Sequence, residues 1–158
     1  MYIKVDHKEV VSLTDFKLGE IWVDKINSKL SNEEKRKVKP FSELESKRLN
    51  KVVDYFEIES NLRESYIQTD WMTASRENND RINQFRDQLG LNLKGFNEDL
   101  IICWNRKLAL KTTKEIFIKY WDQFLYHESY RITVISENTN WVIFYDPIEV
   151  ANIWIKTI

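Results

Sequence analysis

Several things that carry chemistry or hold small scaffolds together are scarce in this sequence. There is one cysteine, so an intramolecular disulfide is excluded and a reducing compartment is expected. Three glycines and two prolines in 158 residues argue against a loop-built scaffold, a disordered tail or a glycine-cradled phosphate site. The P-loop, the dinucleotide-binding G-x-G-x-x-G and the nucleophile elbow G-x-S-x-G are missing. Two histidines, without H-E-x-x-H or C-x-x-C, do not give a zinc centre its spacing, so neither metal nor cofactor is expected. A net charge of −1 gives no global attraction to nucleic acid or to an acidic membrane. The opening MYIKVDHKEV lacks a signal-peptide core, and no apolar run approaches the roughly 18 residues of a spanning helix. A cytoplasmic location is expected.

What is abundant is aromatic. The 13% Phe, Trp and Tyr is high, whereas 42% hydrophobic and 31% charged residues are ordinary for a folded chain. The length predicts a single domain over 1–158, large enough to bury a core without staples. The stretch from Leu100 to Phe144 organises it. LIICW (100–104) is a short continuous apolar run and KLALK (107–111) alternates with period two, so they read as a central and a half-exposed strand. Asn105-Arg106 is a two-residue connection, and Asn tolerates positive φ. Thr112 and Glu115 form a capping box for a helix ending near Leu125, with Ile116, Phe117, Tyr120, Trp121 and Phe124 on its apolar stripe. RITVIS (131–136) and WVIFY (141–145) predict a second hairpin across the turn ENTN. Asp146-Pro147-Ile148-Glu149 reads as the start of a final helix carrying Ile148, Ala151, Ile155 and Ile158 on one stripe.

Upstream, Tyr2–Val5 and VVSL (10–13) are candidate strands, and EIWVDKI (20–26) reads as a strand joining the sheet. Ser31–Glu34 opens a short helix that stops before Pro40. Ser42–Glu45 opens another to about Phe56, with Leu44, Leu49, Val52, Val53 and Phe56 as its apolar face. SYIQTDW (65–71) is a strand or an extended loop. A helix with Ile82, Phe85 and Leu89 then ends at Gly90, and 91–99 is a loop. The fold class predicted is α+β, a mainly antiparallel sheet of about five or six strands with helices on one face and at the edges.

Candidate chemistry is thin. Cys103, His127 and Asp122 or Glu128 supply the residue types of a thiol nucleophile, base and orienting acid. A cysteine inside LIICW, however, reads as an inert buried hydrophobe. His127, Glu128, Asp122 and His7 do not have metal-ligand spacing, and the carboxylate pairs Glu98-Asp99 and Glu57-Glu59 have no visible counterpart across a cleft. Charge is uneven: Lys29–Lys51 holds eight basic residues against four acidic ones. Asp54–Asp70 holds five acids (Asp54, Glu57, Glu59, Glu64, Asp70) against Arg63 alone. Trp104, Trp121 and Phe124 read as core. Trp71, Trp154, Tyr126 and Tyr130 fall near element ends, where aromatics anchor interfaces.

Two stretches carry a resemblance. In IWVDKINSKLSNEEKRKVKPFSELESKRL, a tryptophan strand is followed by L-S-x-E, then Pro, a hydrophobic residue and Ser, then a helix; these positions are Trp22, Leu30, Ser31, Glu33, Pro40, Phe41 and Ser42. This resembles the opening of an uncharacterised bacterial domain-of-unknown-function family of short α+β proteins. TTKEIFIKYWDQFLYHES is similar to that family's W-x-x-F-x-Y segment, here Trp121, Phe124 and Tyr126, which recurs in bacterial immunity proteins against polymorphic toxins. Where family members tend to have Cys-Tyr-Pro-Ser-Asp, this chain has Leu125-Tyr126-His127-Glu128-Ser129, so the role of that loop does not carry over. The resemblance spans about a third of the chain and implies no catalytic residues. It implies a cytoplasmic bacterial protein that binds and neutralises a toxin without catalysis. The partner-binding residues expected are Asp54, Glu57, Glu59, Glu64 and Trp71, then Tyr126, His127, Glu128 and Tyr130. The alternatives are a small hydrolase or transferase around Asp122, His127 and Glu128, and a homodimeric interaction protein sealed by the aromatic element ends.

Overall fold

The computed structural model describes residues 1–24, 26, 28–59, 62–125 and 131–157, and the fold is α+β around one antiparallel sheet. In chain order, a 3-10 turn (His7–Glu9), α1 (Glu20–Val23) and α2 (Asn32–Arg36) precede β1 (Lys39–Pro40). Then come α3 (Glu43–Glu59), α4 (Leu62–Ser65), β2 (Tyr66–Gln68), β3 (Met72–Thr73) and α5 (Asn79–Asn92). The hairpin β4 (Leu100–Trp104) and β5 (Leu108–Thr112) leads to α6 (Lys114–Lys119) and α7 (Trp121–Phe124). β6 (Ile132–Ser136), β7 (Trp141–Asp146) and β8 (Val150–Lys156) complete the sheet.

Its strand order is β1-β5-β4-β6-β7-β8-β2, with β3 also pairing β8. Among the described residues, eight strands replace the five or six expected. The additions include β1 and β3, two residues each and too short to show a period, with Pro40 in the edge strand where a missing N–H is tolerated.

Every residue of β4 and β6 is buried because both faces of the sheet are covered. On one face Leu100, Ile102, Trp104, Val134 and Ile143 meet Trp22, Phe85, Phe117, Trp121 and Phe124. On the other, Ile101, Cys103, Ile135, Val142 and Phe144 meet Leu49, Val53 and Phe56 of α3, with Ile3 and Phe41. The helices predicted on one face and at the edges are therefore joined by α3 on the second face. Two tryptophans satisfy their indole N–H on the helical side: Trp104 donates to the Phe124 carbonyl at 3.0 Å and Trp121 to that of Ile82 at 3.0 Å.

The hairpin at 105–106 forms as expected, with Asn105 and Arg106 both in the left-handed region (φ 51° and 58°) and Lys107 N–H donating to the Trp104 carbonyl. Several other expectations are corrected. EIWVDKI is not a strand: Glu20–Val23 is one helical turn that buries Trp22 against Phe124 and leaves Val23 exposed. The final helix is instead β8. Asp146 accepts from the Ile148 N–H, Glu149 adopts φ 63° and the chain reverses, because Asp-Pro initiates turns as readily as helices and Ile153 and Ile155 are β-branched. The cap of α6 is Thr113, since Thr112 is the last residue of β5, and the helix breaks at Tyr120 before α7. Tyr2–Val5 and 10–13 form no strands; Ile3 N–H donates to the Glu137 carbonyl, and Val10 makes a single bridge to Phe41. Leu44 is 75% exposed, so it leaves the apolar face of α3.

α5 runs through Gly90 to Asn92, and the left-handed residue after it is Gly95 (φ 91°). Gly90 is exposed, and a Cβ there would meet nothing within 4 Å. Gly19 is the opposite case, because its Cβ would collide with the Leu13 backbone carbonyl. Gly90→Ala is expected to raise the unfolding free energy by about 0.4–1 kcal/mol. Gly19→Ala is expected to lower it by about 1–3 kcal/mol. Urea titration of both variants checks the pair, and a loss at Gly90 or a gain at Gly19 contradicts these placements.

Candidate functional site

α3 crosses the second face of the sheet with Leu49, Val53 and Phe56 pointing inward, spaced four and three apart. Asn50, Asp54 and Glu57 have the same spacing and form a polar stripe beside the apolar one. Where that stripe passes over β4, β6 and the turn at Asn105-Arg106, a cleft of about 490 Å³ opens, lined chiefly by Asn50, Asp54, Cys103, Arg106, Arg131 and Thr133. Cys103 and Thr133 are register partners on β4 and β6, so their side chains reach the cleft side by side.

Asn50 is 6% exposed, and its amide donates to the Ser46 carbonyl at 2.8 Å and the Leu108 carbonyl at 3.0 Å. Both amide hydrogens are thus committed, and the acceptor Oδ1 is what the side chain has left for the cleft. Glu57 accepts from Arg131 at 2.6 Å and from the Thr133 hydroxyl at 3.2 Å. The Arg131 guanidinium also lies 4.5 Å from the centre of the Phe144 ring. Burial raises the Glu57 carboxyl above its ordinary 4.5, against the opposing pull of Arg131. Asp54 is half exposed, and its ion-pair partner in the cleft is Arg106, 4.0 Å away on a side chain that is 87% exposed. Burial, reinforced by the charges of Asp54 and Glu57, pushes the Cys103 thiol far up, so it is a poor nucleophile.

No family model, curated protein or solved structure matches this chain.

Of the expected partner-binding residues, the structure brings Asp54 and Glu57 together at the cleft. Glu57 is less a free surface charge than the sequence implied, being bound to Arg131 and Thr133. Glu59 ends α3, but its side chain lies outside the described set. Glu64 is exposed in α4. Trp71 is 53% exposed between β2 and β3, at the far edge of the sheet. At ordinary strand spacing that edge is about 14 Å from β6, so Trp71 belongs to a different surface. Tyr126, His127, Glu128 and Tyr130 lie outside the described residues.

Asp122 is in α7, on the opposite side of the sheet from Cys103, and among the described residues it forms an ion pair with Arg86 at 3.9 Å. A Cys103–Asp122 pairing is therefore excluded. No group of three His, Cys, Asp or Glu among the described residues is placed to hold a metal ion. No helix among them is long and apolar enough to cross a membrane. Asn50, Arg106, Arg131 and Thr133 were missed by sequence reasoning. The available signals were a polar residue between Leu49 and Val53 on an inward helix face, and a threonine inside the apolar run of β6.

Glu57 gives this site a pH signature. Its carboxyl holds its proton to higher pH in the folded chain than in the unfolded one. The stability it contributes is therefore complete below the unfolded value and is lost as pH rises through the folded value. Glu57→Gln removes that loss. The unfolding free energy of the variant minus that of the wild type is expected to increase between about pH 4 and about pH 7. Denaturation series at several pH values test this, and a flat or falling difference contradicts it.

Proposed function

We propose that this chain is a non-catalytic protein-binding protein, an immunity-type inhibitor that neutralises a bacterial toxin in the cytoplasm. The outward face of α3 is the observation that carries the reading. Leu44, Arg48, Lys51 and Tyr55 are spaced four, three and four apart and so form one stripe, with Leu44 75% and Tyr55 64% exposed at its ends. Large apolar and aromatic side chains standing free among charges have the composition of a docking surface. Asp54, next to Tyr55 in the chain, is half exposed on the cleft-facing stripe that borders this face. The partner is the cognate toxin; metal, cofactor, nucleic acid and membrane have no part in the proposal.

Two other observations agree with binding rather than catalysis. The cleft thiol is held protonated, and Asp122 is separated from it by the sheet. The resemblance of Trp121 and Phe124 to the W-x-x-F-x-Y segment of immunity proteins supports the same reading.

The test is capture of a partner by the tagged full chain from a lysate of its own organism, followed by expression of the captured protein alone and together with the chain. The expected outcome is one stoichiometric partner that arrests growth alone and is harmless when co-expressed. Asp54→Lys and Tyr55→Ala should each weaken that complex by roughly tenfold or more. Failure to capture any partner over a range of salt concentrations contradicts the proposal, as does a captured partner with no toxicity. A solution mass of two chains with nothing else bound would favour self-association instead.

A further inference from the structure

We infer that the cleft between α3 and the β4–β5 turn receives a single basic side chain, lysine or arginine, from the bound protein; this rests on the protein-binding reading above. The charge account points to one cation. Glu57 and Arg131 are paired at 2.6 Å and cancel one another. That leaves Asp54, whose ion-pair partner among the described residues is Arg106. At 4.0 Å, on a side chain 87% exposed, Arg106 is a loosely held placeholder that an incoming cation displaces at little cost.

The second, independent observation is Asn50. It is a polar side chain more than nine-tenths buried, and both amide hydrogens are taken by the Ser46 and Leu108 carbonyls. This fixes the plane of the amide and leaves Oδ1 as an acceptor in the cleft wall, with no donor among the described residues. A half-exposed carboxylate and the carbonyl oxygen of a buried amide match the donors of an ammonium or guanidinium. A volume of about 490 Å³ is in the range of small-molecule sites and takes one long side chain with water. The sign at Cys103 agrees: burial raises its thiol most, and the charges of Asp54 and Glu57 raise it further. Arg106 and Arg131 would favour the opposite choice, an anion, but Arg106 is mostly exposed and free to swing away, and Arg131 is already paired with Glu57.

The experiment is a titration of the ¹⁵N-labelled full chain with Nα-acetyl-arginine methylamide and its lysine, citrulline and glutamate counterparts. It is followed through the Asn50 side-chain amide and the Cys103 and Thr133 backbone amides. The arginine and lysine probes are expected to shift these signals saturably, and citrulline to bind roughly tenfold more weakly or worse. Asp54→Asn should weaken the cationic probes to a similar degree, whereas Arg106→Gln should tighten them by removing the competitor. Equal binding of citrulline and arginine overturns the inference, as does a glutamate probe that shifts the same signals. Weaker binding in Arg106→Gln, or no saturable shift with any probe, also overturns it. The protein-binding reading is judged separately: a toxin captured equally well by wild type and Asp54→Asn would keep that reading while removing this one.

Discussion

The burial of both faces of the sheet is the constraint on which the rest of the molecule depends. A strand buried on both sides must be apolar at every position, and β4, β6 and β7 are nearly so. Such a sheet is stable only with two covering layers. The first is rich, built from α1, α5, α6 and α7 with two of the largest buried tryptophans, Trp22 and Trp121. The second depends chiefly on α3 and the N-terminal segment. Buried side chains there are worth about 1.5–3 kcal/mol each, so Leu49, Val53 and Phe56 hold α3 in place while Phe41 and Ile3 fill around it.

Polar contacts decide where α3 docks. The outer edge of β5 runs beyond the two residues of β1, so its free backbone groups need partners. Ala109 N–H donates to the Ser46 hydroxyl at 3.1 Å, the Leu108 carbonyl accepts from Asn50, and the Ala109 carbonyl accepts from the Phe41 N–H. The start of the helix is tied to the N-terminal segment. Ser42 donates to Glu9, and the Glu45 carboxylate accepts from the Asp6 N–H and from Arg48. The cleft follows from this arrangement: side chains that satisfy the edge of β5 replace apolar ones beside the docking stripe, so the helix and sheet do not close there. A structural requirement thus leaves polar groups at a concave surface, next to an exposed face of the same helix.

Much of this was legible in the residues. A continuous apolar run marked β4, β-branched and aromatic residues marked β6 and β7, Asn105-Arg106 marked the turn, and Ser31 with Glu34 forms the capping box its spacing announced. The misreadings came where one local signal serves two structures. Asp146-Pro147 starts helices and turns alike, and only pairing with β7 makes 150–156 a strand. Around Trp22, four residues are too few to tell period two from 3.6. The cleft was legible only in part. Asp54 and Glu57 stood out as acids, but the partners that neutralise or oppose them come from the β4–β5 turn and from the residue just before β6, 52 positions or more away in the chain. Spacing along one helix carries no information about which strand passes beneath it.

The single cysteine offers the most direct test of the central claim that α3 is an integral cover for the second face. Cys103 is 4% exposed beneath that helix, and its thiol is held protonated. The measurement is the rate of Cys103 modification by a disulfide reagent too large to enter the cleft, in increasing denaturant, set against the global unfolding rate and free energy of the same protein. If α3 and the sheet form one cooperative unit, modification requires global opening, and its dependence on denaturant matches that of unfolding. Rapid modification of the native protein, with little denaturant dependence, would mean that α3 lifts from the sheet alone and would contradict the account.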